Sequence, residues 1–114
     1  MPAEQLDDPD YPAYTTGQAA EVLGVRQAFL RGLDAAGAVR PGRSGGGHRR
    51  YSRRQLDLAA RIRVLFDQGH NLAATLRIVA LEDELAAARE LIGRLRTRGR
   101  PGGPGPDGPG TGPG

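Results

Sequence analysis

The chain has 114 residues, no cysteine, and sixteen basic residues, every one an arginine. Without thiolates there are no disulfides, thiolate metal sites or thiol redox chemistry. His48 and His70 come with no carboxylate pattern that would complete a metal cage, and no nucleophile, base and orienting group share a usable spacing. The sequence therefore implies no enzyme, no cofactor and no metal. No apolar run reaches the length of a membrane span, and Glu4, Asp7 and Asp8 give the N-terminus the wrong sign for an export signal. The expected place is the cytoplasm, on the nucleoid, with no membrane partner.

Charge is unevenly placed. Residues 1–13 carry four acids and no base, whereas from Tyr14 to Arg63 ten arginines face only Glu21, Asp34 and Asp57, a local net of +7. A basic block of this kind suits a polyanion. Arginine-rich codon usage alone would raise the total, so the clustering is the informative part. Residues 1–12, acidic and proline-containing, and residues 98–114, almost wholly Gly and Pro, cannot bury enough apolar surface to offset ordering entropy. Both are expected to be disordered, and the tail to be dispensable for DNA binding.

Between these ends the expected organisation is a DNA-binding domain over 13–70 and a dimerisation helix over 71–97. Thr15-Thr16-Gly17-Gln18 has the form of a capping box, so a short helix should run through Ala19, Ala20, Val22 and Leu23 to Gly24. A second helix is predicted from about Arg26 to Ala36, with Val25, Phe29, Leu30 and Leu33 on its apolar side and Gly37 ending it. Two short helices joined at one glycine form a helix-turn-helix pattern, whose second helix lies in the major groove. Next, Val39 to Arg43 breaks helical periodicity, Ser44-Gly45-Gly46-Gly47 must turn, and His48-Arg49-Arg50-Tyr51 returns. That predicts a β-hairpin wing, a flexible Arg-rich loop being the alternative. Ser52 with Gln55 makes a second capping box for a third helix through Leu56, Leu58, Ile62, Leu65 and Phe66. Arg53 and Arg54 in its first turn oppose the helix dipole and call for an anion, such as a phosphate.

Gly69 closes the third helix and Asn71 can cap the next, predicted from Leu72 to about Arg96 and about 39 Å long. Along it Ile78, Leu81, Leu85, Ala88, Ile92 and Leu95 follow the three-and-four spacing of a coiled-coil seam. So small a core cannot cover the outer end, and a second subunit is the expected cover. Glu82, Asp83 and Glu84 lie early and Arg89, Arg94, Arg96 and Arg98 late, an order that favours an antiparallel partner and also matches the helix dipole. The fold class is thus mainly α: a winged helix-turn-helix with a small β-hairpin wing and a C-terminal dimerisation coiled-coil helix.

In order, these residues resemble the MerR family of bacterial transcription regulators. Gly46-Gly47-His48-Arg49-Arg50-Tyr51-Ser52 is similar to that family's wing-to-helix junction, Tyr14-Thr15-Thr16-Gly17-Gln18-Ala19-Ala20 to its first helix and Gly24-Val25 to its turn. Leu30-Arg31 and Asp34 fall where the family has a Leu-Arg pair and an acid. Asn71-Leu72-Ala73 followed by Ile78-Val79-Ala80-Leu81-Glu82 resembles the heat-shock repressor (HspR-like) branch. Departures are Gly32 and Leu33 in place of an aromatic pair, and Ala28 and Phe29 at commonly polar positions.

The resemblance implies a homodimer, joined by an antiparallel coiled coil, on a pseudo-palindromic double-stranded promoter site. A repressor or partner-controlled factor, with RNA polymerase or a regulatory protein as further partner, is expected over a small-molecule sensor, because a Gly/Pro tail follows the coil. The alternatives are a protein-interaction adaptor and an architectural DNA-binding protein on the same fold. Candidate DNA-binding residues are Thr16, Arg26, Gln27, Arg31, Arg43, His48, Arg49, Arg50, Tyr51, Arg53 and Arg54. Gln27 and Arg31 have the chemistry to read adenine and guanine or to hold phosphate. Arg43, Arg49 and Arg50 would enter a minor groove or clamp phosphate, a solvated charge being the bland alternative. His48 fits a structural or phosphate-bonding role, and Tyr51 packing of the wing with its hydroxyl on phosphate.

Overall fold

A computed structural model describes residues 7–99. Its elements are β1 (Tyr14–Thr15), α1 (Thr16–Leu23), α2 (Gln27–Ala35), β2 (Gly42–Arg43), β3 (Arg49–Tyr51), α3 (Arg53–Asp67) and α4 (Leu72–Arg98). The tail from Arg100 on, and its expected dispensability, lie outside the described residues.

Side-chain caps start α1, α3 and α4, while α2 follows Arg26 with no side-chain cap. At α1 the Thr15 hydroxyl accepts from the Gln18 amide at 3.1 Å, and the Gln18 side chain returns to the Thr15 amide at 2.9 Å. Ser52 and Gln55 repeat this box at α3, at 3.1 and 2.9 Å. Each box satisfies amides that the first helical turn leaves without partners, an effect of about 1 kcal/mol. Asn71 caps α4 through a 2.8 Å bond from the Ala74 amide. Gly24 takes a left-handed φ of 68°, and this lets α1 stop and α2 start at once, the turn of the helix-turn-helix.

The wing is a hairpin in which Ser44–Gly47 forms the turn. The Gly47 amide bonds the Ser44 carbonyl at 2.9 Å and the Ser44 amide bonds that of His48 at 2.8 Å. Gly47 follows at φ 83°, a value that a side chain would oppose. Strand β3 pairs antiparallel with β2 (Gly42 with Arg50, Arg43 with Arg49) and also with β1 (Tyr14 with Tyr51, Thr15 with Arg50). The expected two-stranded wing is therefore part of a three-stranded sheet in the order β1-β3-β2.

The chain divides into two compact units, one up to Leu76 and one from Arg77 on. The core of the first gathers Ala19 and Ala20 of α1, Leu30 and Leu33 of α2, Val39, Tyr51, and Leu56, Ala59 and Ile62 of α3. Phe29 and Phe66 meet edge to face at 5.9 Å, joining α2 to α3. Leu72 and Leu76 pack against the same core, so the first unit takes in the opening turns of α4, which had been assigned to the dimerisation helix. In the second unit Leu81, Leu85, Ala88, Ile92 and Leu95 are all exposed, the large ones by about half, as is Leu91 beside them.

Of the acidic segment 1–12 expected to be disordered, residues 1–6 lie outside the described residues, and residues 7–12 are ordered by specific contacts. From Asp7 to Pro12 it forms a tied arm, described below, because composition takes no account of fixed counter-ions nearby. Tyr51 is a second departure. Its ring is wholly buried and its hydroxyl, close to Thr16, makes no hydrogen bond of normal geometry. The ring packs the wing onto the core as expected, whereas the buried hydroxyl is not placed to meet a phosphate.

Burial pushes the Tyr51 phenol above its usual value of 10.0, with Thr16 and the charges of Arg49 and Arg43 acting the other way and Asp34 adding to the rise. Since the folded value exceeds the unfolded one, the contribution to stability is complete below about pH 10 and is lost as pH rises further. Tyr51→Phe removes an unpaired buried hydroxyl, so it should unfold in urea within about 1 kcal/mol of the parent or be more stable. Its melting temperature should also fall less between pH 9 and 11. Tyr51→Ala should cost about 3–5 kcal/mol through the cavity left. A Phe variant as damaged as the Ala variant would contradict this account.

Candidate nucleic-acid interface

One concave surface collects most of the expected contact residues. It is lined by Thr15, Thr16 and Gly17 at the start of α1, Gln27 and Arg31 on α2, and Arg43, Gly47, His48, Arg49 and Arg50 on the wing, and encloses about 380 Å³. Three elements meet there for local reasons. The Thr15 capping box aims the N-terminus of α1 into the groove, the Gly24 turn sets α2 beside it, and pairing of β3 with β1 lays the wing across the other side. A Cβ on Gly17 would lie 3.4 Å from Gln27 Nε2, an ordinary contact with the end of a flexible side chain.

Gln27 and Arg31 are one turn apart, on one exposed face of α2, with Arg31 donating to the Gln27 side-chain oxygen at 3.4 Å. This is a long bond between solvated groups, easily exchanged for a ligand. On the wing the arginines differ. Arg49 Nε donates to Asp34 Oδ2 at 2.7 Å and Arg43 Nη2 to the same oxygen at 3.2 Å. Arg43 also reaches the Gly47 carbonyl at 3.2 Å. Asp34 is 17% exposed and Arg49 27%, so this contact is shielded enough to fix the wing against α2. Arg50 is half-buried and has no side-chain partner among the described residues. Asp34, Thr15, Gly17 and Gly47 were not expected at the site. The signal for Asp34 was its position as one of few acids in a long basic stretch.

The remaining candidates lie elsewhere. Arg26, the residue before α2, lines a separate concavity of about 610 Å³ with Val25, Phe29, Arg63 and Phe66. Arg53 and Arg54 are engaged by the N-terminal arm, and Tyr51 is in the core. Among the described residues no group of three metal-ligating side chains forms, and no helix is long and apolar enough to cross a membrane.

A basic groove of guanidinium, amide and hydroxyl groups, bounded by a short helix, a helix N-terminus and a hairpin, defines a winged helix-turn-helix protein. Residues 14–80 match the model of the MerR HTH family of regulatory proteins, and the chain belongs to that family, whose members are regulators and not enzymes. A putative heat shock protein HspR of Streptomyces coelicolor is 40% identical over 78 residues, 68% of this chain and 52% of that protein. The chain thus spans about half the length of that relative. The fold is similar to that of HiNmlR, a MerR family regulator lacking the sensor domain and crystallised on promoter DNA, with a TM-score of 0.54, 24% identity, and 73% of this chain and 75% of that one covered. It is also similar to that of a MerR family transcriptional regulator from Bacillus cereus, with a TM-score of 0.55, 21% identity, and 75% and 70% covered.

If Asp34 fixes the wing, Asp34→Ala and Arg49→Ala should each lower stability in urea by about 1 kcal/mol, and the double variant should lose little more than either. Amide exchange of β2 and β3 should quicken in both. Additive losses, or unchanged exchange in the wing, would show that the contact holds nothing in place.

Proposed function

We propose that the protein is a sequence-specific double-stranded DNA-binding transcription regulator that acts as a homodimer on a pseudo-palindromic promoter site. The observation that carries this reading is the groove, in which a helix face with Gln27 and Arg31 stands beside a wing presenting Arg50. Helix α2 (nine residues), like any α-helix about 10–12 Å across with its side chains, fits a major groove about 12 Å wide. Arg31 offers guanine a bidentate contact and Gln27 offers one to adenine. Arg50 enters the adjoining minor groove or holds phosphate, while Arg49 and Arg43 act chiefly through the posture of the wing. Thr16 and His48, at the groove wall, suit phosphate. HiNmlR, which shares the fold, is crystallised bound to promoter DNA, and this supports a DNA-binding role.

Dimerisation is assigned to α4. Leu81, Leu85, Ile92 and Leu95 are large apolar side chains about half exposed, and with Ile78 and Ala88 they form a stripe that a second copy would cover. An antiparallel copy sets the early acids against the late arginines. Similarity to a putative heat shock protein supports repression or control by a partner protein over sensing of a small molecule.

The test is fluorescence anisotropy on the duplex upstream of the protein's own gene, against a scrambled duplex, across a salt series. Specific regulation requires at least about tenfold preference for the native duplex, near 1.4 kcal/mol, and steep weakening with salt. Arg31→Ala should cost about 1–3 kcal/mol and relax sequence preference. Arg50→Ala should weaken both duplexes alike and reduce the salt slope by about 1. Equal affinity for the two duplexes would point to an architectural protein, and no binding at low salt to an adaptor. Leu85→Arg should give a monomer in sedimentation equilibrium and a large loss of operator affinity; a Leu85→Arg dimer would place the interface elsewhere.

A further inference from the structure

The first turn of α3 carries two adjacent arginines where the helix dipole disfavours cations, and the structure supplies their counter-ions from within the chain. Arg54 Nε donates to Asp10 Oδ1 at 2.6 Å, and the Arg54 backbone amide donates to the Pro9 carbonyl at 3.0 Å. Arg53 donates to the Asp7 carbonyl. The arm that brings these acceptors is itself tied. The Asp10 amide bonds the Asp8 carboxylate at 2.9 Å, the Tyr11 amide the Asp8 carbonyl at 3.2 Å, and the Ala13 amide the Tyr11 carbonyl at 2.9 Å. It also runs past the wing: a Cβ on Gly42 of β2 would meet Pro12 at 3.7 Å. A carboxylate and backbone carbonyls thus engage donors of Arg53 and Arg54 that are chemically suited to a phosphodiester oxygen.

We propose that the acidic arm Asp7–Pro12 is an intramolecular competitor of DNA phosphate at Arg53 and Arg54, an autoinhibitory contact that lowers the affinity of the protein for nucleic acid. The inference rests on the DNA-binding reading above. Its chemistry is an exchange of one oxyanion for another at the same guanidinium, with no covalent step. The contact is built to be displaced, because Arg54 and Asp10 are 66% and 65% exposed and so exposed a pair is held weakly and screened by salt. It is also reinforced. The Asp10 hydrogen bond and charge, with Asp8 and Asp57 further away, all favour the charged Arg54, so the arm presents a field to that guanidinium as well as a single contact. The arm therefore sets a threshold. Weak, sequence-independent phosphate contacts compete poorly with it, whereas a site that also engages Arg31 displaces it.

The test is a mutant cycle on the full chain, read by anisotropy on the operator and the scrambled duplex at low and high salt. Asp10→Ala should tighten binding of the scrambled duplex about three- to fivefold at low salt, with a steeper salt dependence because a further phosphate is engaged. In an Arg54→Ala background the same substitution should change nothing. Equal tightening in both backgrounds would mean that only net charge matters, and unchanged or weaker binding by Asp10→Ala would mean that the arm does not compete. Either result overturns the proposal while leaving a DNA-binding protein that still responds to Arg50→Ala. If the parent binds neither duplex, the DNA-binding reading falls and this inference with it.

Discussion

The groove depends on one carboxylate. Asp34 near the end of α2 receives Arg49 from β3 and Arg43 from β2, joining the two edges of a surface that local sequence alone would leave independent. A two-residue strand paired with a three-residue strand is far below the size at which a hairpin is stable by itself, so the wing needs an outside anchor. Tyr51 supplies the apolar anchor at the base of β3, buried in the core, and Asp34 the polar one higher up. Between them they fix both the depth and the tilt of the wing relative to α2. Arg50, which alternates with Arg49 and Tyr51 along the strand, is thereby left for a ligand.

How much of this could be read from the sequence follows from the range of the interactions concerned. The starts of α1, α3 and α4 were legible to the residue because side-chain caps act within three positions, and the turn at Gly24 and the wing turn over 44–47 because a left-handed backbone narrows the choice of residue; α2, which has no side-chain cap, was legible only approximately. Strand β1 was not legible. Two residues are too few to show a period of two, and Thr15 was already accounted for as a cap. Asp34 was visible as an isolated acid, yet its link to Arg49 spans fifteen positions and no spacing rule predicts it. The acidic arm failed for a related reason: a composition argument weighs apolar burial against entropy and ignores the two arginines, over forty positions away, that give the arm something to hold.

The exposed stripe on α4 shows the same principle from the other direction. Its three-and-four spacing was plain, and from Leu81 on the side chains are exposed, whereas Ile78 is half-buried. Leu91 is equally exposed, however, and a seam through Leu81, Ala88, Leu91 and Leu95 also has helical spacing. Periodicity identifies an apolar face without fixing its centre, because residues one position apart lie only about 100° apart around the helix. Where the seam runs is a property of the partner as much as of this helix.

Charge counting has an analogous limit. The net of +7 between Tyr14 and Arg63 overstates the charge presented to a ligand, because acids convert several of those arginines into structural parts. Arg43 and Arg49 are bound to Asp34, Arg54 to Asp10, and Arg63 to Asp67 at 3.2 Å. What remains for base or phosphate contact at the groove is concentrated in Arg31 and Arg50, on opposite walls. A polyanion approaching such a surface is attracted by the whole basic block at long range, but within the groove Arg31 and Arg50 are the arginines that hold no carboxylate among the described residues. A further contact through Arg43, Arg49 or Arg54 requires exchanging an internal carboxylate for a phosphate, and is therefore sensitive to how well the duplex fits. A surface arranged in this way gains discrimination from its acids, since only a well-fitted duplex repays the exchange.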